Sequence, residues 1–109
     1  FHLDFTYFLR EYLNCSIINS FGDKDSKKIW EGERVKSLST EIQEIVRRKL
    51  RMLNNSQDLN DLQIPPSNRL EKLKGNYKDF YSIRINKQWR IIFKWNNSNA
   101  EEVEIIDYH

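Results

Sequence analysis

Residues 81–95 read YSIRINKQWRIIFKW, with apolar and polar side chains alternating on both sides of a central NKQ. Alternation with a period of two is typical of strands that bury one face, so this stretch predicts a β-hairpin. A two-residue loop would place Ile83 on the same face as Arg90, so that apolar core residues and charged residues would share one face of the sheet. A three-residue loop instead pairs Ile83 with Ile91, and it sets Arg84 opposite Arg90. The hydrophobic pattern therefore selects the three-residue loop.

Two arginines side by side on one face are the unusual feature of this hairpin. Like charges directly opposite each other destabilise a sheet by up to ~1 kcal/mol, so the register indicates that an anion normally lies over Arg84 and Arg90. The surrounding charge agrees, because residues 69–95 contain eight Lys or Arg and two acidic residues, a local charge of +6 within a chain of net charge +2. Residues 96–109 carry four acidic side chains. The small net charge of the chain is therefore the sum of a basic segment and an acidic C-terminal segment.

The first half of the chain predicts a strand followed by two helices. Ser16 to Phe21 is typical of a short strand, and Asp25 is expected to cap a short helix that Gly32 terminates. A longer helix is predicted from Thr40 to Leu53, because apolar residues recur there at three- and four-residue steps. Thr40 with Gln43 fits a capping box at its start. Residues 54–67 are rich in turn formers and predict a loop with room for one turn of helix.

After the hairpin, the sequence predicts a turn over residues 96–100 and a last strand from Val103 to Tyr108. The register of that strand stays open. Pairing Trp95 with Val103 aligns His109 with Trp89, while a one-residue slip aligns His109 with Arg90. The combined pattern predicts a compact single α+β domain, with an N-terminal strand and two helices packed on an antiparallel sheet. The indoles of Trp30, Trp89 and Trp95 are expected in the core.

Composition limits the class of protein. The chain has 109 residues, 39% hydrophobic and 31% charged, which favours one small globular domain. Cys15 is the only cysteine, so no intramolecular disulfide can form. No apolar run approaches the ~20 residues of a membrane helix, and residues 1–13 lack the basic leader of a signal peptide. We expect a protein of a reducing cytoplasm without a membrane association.

Four segments, in order and with matching spacing, resemble HigB-type toxins of the RelE/ParE toxin superfamily. They are PPSNRLEKLKG (residues 65–75), FYSIRIN (80–86), QWRI (88–91) and DYH (107–109). The resemblance begins near residue 18 and implies a RelE-like fold. The family counterpart of the initiator methionine falls on Ile17. We therefore expect a toxin domain over residues 17–109, with residues 1–16 an extension that comes from a translated upstream region or an appended segment.

The resemblance implies a small bacterial toxin that enters the A site of the 70S ribosome and cuts mRNA during translation. It also implies a partner, a HigA-type antitoxin with a helix-turn-helix domain, which neutralises the toxin and carries the complex to operator DNA. Cleavage by the neighbouring 2′-hydroxyl needs charge stabilisation and proton transfer, so we predict neither a metal nor a cofactor.

The resemblance also implies a substrate-facing set: Lys74, Arg84, Arg90, Asp107, Tyr108 and His109. The planar fork of arginine suits a pentavalent phosphate. His109, with an ordinary histidine pKa near ~6.5, is expected to protonate the departing 5′-oxygen. Tyr108 is expected to stack on a nucleobase or to orient the 2′-hydroxyl, and Asp107 to orient His109 or to hold Arg90. The general base stays open between Lys74, a bound water and a group of the ribosome.

A wider basic surface is predicted to contact RNA or the ribosome: Arg47, Arg48, Arg51, Lys72, Lys78, Lys87 and Lys94. Two other functions fit the same fold. A ParE-like toxin would bind DNA gyrase without cutting RNA, and an inactive module would bind RNA or antitoxin only. The nuclease is favoured because a gyrase binder has no evident need for an acid beside clustered arginines.

Overall fold

The computed structural model describes residues 18–108, so His109 and the predicted extension over residues 1–16 lie outside the described residues. Two helices, α1 (Lys24–Trp30) and α2 (Thr40–Asn55), precede the sheet. The four strands are β1 (Glu71–Lys72), β2 (Phe80–Arg84), β3 (Trp89–Asn96) and β4 (Asn99–Asp107). They are antiparallel and lie side by side in chain order. The predicted α+β architecture is confirmed.

The N-cap of helix α1 lies two residues earlier than predicted. Asp23, not Asp25, is the N-cap, and its side chain accepts a hydrogen bond from the Ser26 N–H at 3.1 Å. A cap side chain reaches the N–H two or three residues ahead, and only Asp23 stands at that distance from Ser26. Asp25 lies in the first turn and accepts a hydrogen bond from the Ser37 hydroxyl. Gly32, at a φ of +92°, follows the helix end as predicted.

Helix α2 lacks the predicted capping box. Ser39 is the N-cap and accepts from the Ile42 N–H at 3.2 Å, while Thr40 is already helical. The Gln43 side chain is buried, and it hydrogen bonds to both backbone groups of Val35 and to the Leu38 carbonyl. A buried amide needs such partners, so Gln43 ties the preceding loop to the helix instead of capping it.

The hairpin of β2 and β3 has the predicted register. Ile83 pairs with Ile91 and Arg84 with Arg90, across the three-residue loop. The apolar face of the sheet packs on the apolar stripe of α2 and forms one core with α1: Ile29, Val46, Leu50, Leu53, Ile83, Ile91, Phe93 and Val103. The three tryptophans pack against this core as expected. Alternation then places the arginine pair on the sheet face that the helices leave open.

The last hairpin differs from both predicted registers. The turn is the two-residue Asn97-Ser98, at φ values of +52° and +65°, so β4 starts at Asn99. Positive φ at both central residues is typical of the tight hairpin turns that asparagine favours. Glu102, also at positive φ, lies in a bulge between the Ile92–Glu104 and Lys94–Glu101 pairs. Near the end of the strand, Trp89 pairs with Asp107 and Arg90 with Ile106.

The outer edge of β4 is covered by the chain that precedes α1. Ile18 and Phe21 form single parallel bridges to Ala100 and Val103, so the predicted first strand is reduced to isolated bridges in its described part. Farther along, the Ser26 hydroxyl accepts from the Ile105 N–H at 3.1 Å. Covered edges resist pairing with other chains. The opposite edge of the sheet is β1, and this two-residue strand borders the arginine pair.

Candidate active site

The turn before β1 is fixed by a buried asparagine. Residues 59–63 and 66–68 form short 3₁₀ helices in the predicted loop, and Asn68, the last residue of the second, has no exposed surface. Its amide donates to the Leu62 carbonyl at 3.0 Å and to Met52 Sδ at 3.1 Å. Its oxygen accepts from the Lys49 ammonium. These bonds connect α2 to the start of β1, which gives the PPSN part of the sequence motif a structural role.

Strand β1 brings a carboxylate to the arginine pair. Arg90 Nη1 lies 3.1 Å from Glu71 Oε1 and donates to Ser82 Oγ at 3.0 Å. The Arg90 side chain is 14% exposed and that of Glu71 is 48% exposed, so the guanidinium is fixed while the carboxylate faces solvent. Within residues 18–108, Arg84 has no ion pair. The anion predicted over the two arginines is thus partly supplied by the chain itself.

Tyr108 joins this group from the end of β4. Its backbone N–H donates to the Gln88 carbonyl at 2.7 Å, which extends the pairing beyond Asp107. The Arg90 guanidinium carbon lies 4.6 Å from the centre of the Tyr108 ring, a cation–π contact. Because Arg90 has a ring on one side and a carboxylate on another, few of its rotamers remain accessible.

Lys74 lies at the rim of an adjacent cleft of about 300 Å³, which six residues line: Glu71, Lys72, Leu73, Lys74, Tyr77 and Tyr108. Lys72 and Lys74 also line a second cleft of about 390 Å³ with Lys78 and Asp79. Two lysines, one carboxylate and two phenols around one opening provide both charge for phosphate and groups for proton transfer. Arg90 contacts Glu71 and Tyr108 of this cleft and is paired with Arg84 across the hairpin. The predicted site residues Lys74, Arg84, Arg90 and Tyr108 therefore belong to one region of the surface.

Asp107 lies on the face of the sheet opposite the one that carries Arg90. It pairs with Trp89, whose ring packs on the core, and its carboxylate accepts from the Gln88 amide at 3.1 Å. In the described part of the chain, the carboxylate partner of Arg90 is Glu71. A role of Asp107 in orienting His109 remains a prediction, because His109 lies outside the described residues.

The sequence and fold match one family of known proteins. RelE-like toxins of type II toxin–antitoxin systems, in the HigB-like toxin family, match residues 19–109. Toxin HigB-1 of Vibrio cholerae is 43% identical over 76 residues, which cover 69% of this chain and 80% of the relative. This chain belongs to the HigB-like toxin family. Endoribonuclease HigB of Proteus vulgaris is 25% identical over 93 residues, which cover 85% of this chain and 100% of that protein.

Solved structures share the fold at low sequence identity. A chain of the heterotetrameric YoeB–YefM toxin–antitoxin complex from Staphylococcus aureus has a TM-score of 0.55 at 18% identity, over 84% of this chain and 97% of that chain. A YafQ variant from E. coli has a TM-score of 0.52 at 12% identity, over 83% and 92% of the two chains. The predicted RelE-like fold is therefore confirmed for this HigB-like toxin.

The wider basic surface of the HigB-like toxin is not uniform. Arg47 donates to the Ile29 and Glu33 carbonyls and so attaches α2 to the end of α1. Lys94 forms an ion pair with Glu102 at 3.0 Å and lies 5.3 Å from the centre of the Phe80 ring. The other predicted contacts are exposed: Arg48, Arg51, Lys72, Lys78 and Lys87. Contact with RNA stays a prediction for all seven residues, and Arg47 and Lys94 have structural partners as well.

Two ionisable groups outside the cleft have perturbed pKa values. Burial lowers the pKa of Lys49 below its ordinary value of 10.5, and the neighbouring Arg48 lowers it further. Burial raises the pKa of the Glu104 carboxyl above 4.5, and the nearby Asp23 and Glu102 carboxylates raise it further. Neither group lines the cleft, so both shifts concern the stability of the toxin more than its site.

The candidate site of the HigB-like toxin includes residues that the sequence did not single out. Glu71, Ser82 and Tyr77 were not assigned to the site, yet Glu71 and Ser82 hold Arg90 and Tyr77 lines the cleft. One signal did point to Glu71, because it is one of only two acidic residues in the basic stretch. Residues 18–108 contain no cluster of three or more His, Cys, Asp or Glu side chains that could hold a metal ion. No helix in this range is long and apolar enough to cross a membrane.

Proposed function

We propose that this HigB-like toxin is a ribosome-dependent endoribonuclease that cuts mRNA during translation. The observation that carries the proposal is the directly opposed Arg84–Arg90 pair, which lies next to the cleft that Lys74 and Tyr108 line. Two opposed arginines repel each other, the Glu71 carboxylate compensates only Arg90, and an RNA phosphate would relieve the repulsion that remains. The name of the Proteus vulgaris relative, an endoribonuclease, supports this reading.

The proposed reaction is an internal transesterification. The 2′-oxygen forms a bond to the adjacent phosphorus, the bond from phosphorus to the 5′-oxygen breaks, and the products end in a 2′,3′-cyclic phosphate and a 5′-hydroxyl. A base removes the proton of the 2′-hydroxyl, and an acid gives a proton to the departing 5′-oxygen. Arg84 and Arg90 stabilise the charge that builds up on the phosphate oxygens, and Lys74 holds the substrate phosphate from the rim.

Glu71 is the proton acceptor in this proposal. It is the one carboxylate among the six residues that line the cleft, and it is bound to Arg90 before substrate arrives. When a substrate phosphate binds the Arg90 guanidinium in place of Glu71, the Glu71 carboxylate becomes available to the 2′-hydroxyl. Lys74 is the alternative acceptor from the same cleft. His109, which follows Tyr108 in the chain, is proposed as the proton donor.

The proposed partners follow from the same reading. Toxins of type II systems have antitoxin partners, and we assign this one a HigA-type helix-turn-helix antitoxin that carries the complex to operator DNA. The proposed site of action is the A site of the 70S ribosome in the bacterial cytoplasm. The exposed residues of the predicted basic surface would contribute a favourable interaction with rRNA that weakens as salt rises: Arg48, Arg51, Lys72, Lys78 and Lys87. The toxin domain is assigned to residues 17–109.

Primer extension on mRNA after a brief pulse of toxin expression tests the proposed function. Cuts at codon boundaries within translated messages are the expected result, and Arg84→Glu should remove them. Lys36→Glu serves as a control, because it reverses the charge of an exposed lysine between α1 and α2 that is outside the predicted RNA contacts, and it should leave cleavage in place. Intact mRNA together with damaged DNA would refute the nuclease and select gyrase as the target.

The assignment of the proton acceptor has a separate test. Glu71→Gln keeps the hydrogen bond to Arg90 but cannot accept a proton at neutral pH, so single-turnover cleavage on ribosomes should fall about 10²- to 10⁴-fold. Cleavage within a few-fold of the wild type would transfer the role to Lys74 or to the ribosome.

A further inference from the structure

Tyr77 is an exposed aromatic side chain with a defined position. It is 40% exposed, one of two large hydrophobic residues in the described range that face solvent to this extent. It ends the short 3₁₀ turn Gly75–Tyr77, which begins with Gly75 at a φ of +68°. Its ring contacts Phe80 edge-on, with 5.8 Å between the ring centres. This T-shaped contact restrains the ring, which stays 40% exposed.

The surroundings of Tyr77 suit a nucleotide. Tyr77 lines the same 300 Å³ cleft as Tyr108, Lys72 and Lys74. A volume of this size is at the small end of the range for pockets that hold organic ligands. Proteins that bind single-stranded nucleic acid combine cations along the backbone with aromatic faces for the bases, because every base has a π-face. The cleft contains both kinds of group within one opening.

We propose that Tyr77 is a base-stacking residue of the RNA site, and that it holds a nucleobase next to the scissile phosphate. This inference rests on the proposed function, and it adds to it a position for one base of the substrate. The stacking role is separate from the chemistry, because the acid, base and charge-stabilising groups are assigned elsewhere. Tyr77 therefore acts as a positioning residue that selects a stacked, single-stranded nucleotide over a paired one.

Phe80 and Lys94 support the proposal. The Phe80 ring forms a T-shaped pair with Tyr77 and has the Lys94 ammonium 5.3 Å from its centre. Lys94 is itself paired with Glu102, so the Tyr77–Phe80 unit is attached to the third and fourth strands. An aromatic that had only to fill space at a turn would need no such support, whereas a stacking platform loses less side-chain entropy on binding when it is already fixed.

The test uses the full chain and a 2′-O-methyl trinucleotide that carries 2-aminopurine at its centre. The 2′-O-methyl groups prevent cleavage, and the fluorescence of 2-aminopurine is quenched when the base stacks. Wild-type toxin should quench the probe on titration. Tyr77→Ala should weaken binding about tenfold and remove most of the quenching. Tyr77→Phe, which keeps an aromatic face, should bind as the wild type does.

Two further variants separate stacking from packing. Tyr77→Leu keeps an apolar contact with Phe80 but has no π-face, so it should fail like Tyr77→Ala at an unchanged Tm. Ile64→Ala removes the other exposed apolar side chain, which lies outside the cleft lining, and should bind the probe as the wild type does.

Several results would overturn the inference. They are full binding and quenching by Tyr77→Ala, wild-type binding by Tyr77→Leu, and an absence of quenching by the wild type. Weakened antitoxin binding in Tyr77→Ala with unchanged probe binding would identify Tyr77 as part of a protein-docking surface instead. Cleavage of ribosome-bound mRNA, measured in parallel, separates the two proposals. Quenching without cleavage refutes only the nuclease, and cleavage without quenching refutes only the stacking role.

Discussion

Replacement of Arg90 by alanine should damage activity far more than stability. The side chain loses an ion pair with the half-exposed Glu71, which contributes about 0–1 kcal/mol, and a hydrogen bond to buried Ser82, which contributes about 1 kcal/mol. The cation–π contact with Tyr108 contributes about 0.5–1 kcal/mol. Removal of the repulsion from Arg84 returns up to ~1 kcal/mol. The net loss is about 0.5–3 kcal/mol of the free energy of unfolding.

Activity should fall much further, because the guanidinium is proposed to stabilise charge that appears only in the transition state. Loss of one such group typically lowers the rate about 10²- to 10³-fold. Urea denaturation measures the first effect, and single-turnover cleavage of mRNA on programmed ribosomes measures the second. Lys36→Ala is the control, since Lys36 is exposed between α1 and α2 and is outside the predicted RNA contacts, and it should change stability by less than about 0.5 kcal/mol and leave cleavage intact. A folded Arg90→Ala protein that cleaves within a few-fold of the wild type would refute the reasoning.

Three further outcomes are expected. Asn68→Ala should lower the free energy of unfolding by about 2–4 kcal/mol, because the Leu62 carbonyl and the Lys49 ammonium lose a buried partner; a loss below about 0.5 kcal/mol in urea denaturation would contradict that role. Glu104→Gln should stabilise the toxin at neutral pH, since the raised pKa means that the charged carboxyl opposes folding there. The gain should vanish as pH falls below 4.5, where the wild-type carboxyl is neutral, and equal stabilities at pH 7 would refute it. His109→Ala should retain folding and antitoxin binding but lose about 10²- to 10⁴-fold in cleavage, and continued cutting would exclude the proton-donor role.

The central hairpin was predictable because one register alone separates core from charge. A shift of one residue between Ile83 and Ile91 would have buried Arg90, so the pattern fixed the pairing. The last strand offered no such constraint. Its register depends on the left-handed turn at Asn97-Ser98 and on the bulge at Glu102, and neither changes the alternation of apolar residues in a recognisable way.

The candidate site was predictable to the extent that it lies on long elements. Arg84 and Arg90 follow from strand alternation, whereas Glu71 belongs to a two-residue strand that is too short to show a period. The position of Glu71 depends on the contacts that Asn68 makes with Lys49 and Met52 of α2, and these residues are far from Asn68 in the sequence. The caps were misassigned for a related reason. Asp23 and Asp25 are equally good cap residues, and only the three-dimensional course of the chain decides between them.

The chemistry of the RNA ends tests the central claim most directly. Purified toxin is mixed with ribosomes that carry a defined, end-labelled mRNA, and the termini of each product are determined. Wild-type toxin should give a 2′,3′-cyclic phosphate and a 5′-hydroxyl at each cut, and Arg90→Ala should give almost none. Uncut mRNA under these conditions, or cuts that leave a 5′-phosphate and a 3′-hydroxyl, would contradict an arginine-stabilised attack by the 2′-oxygen.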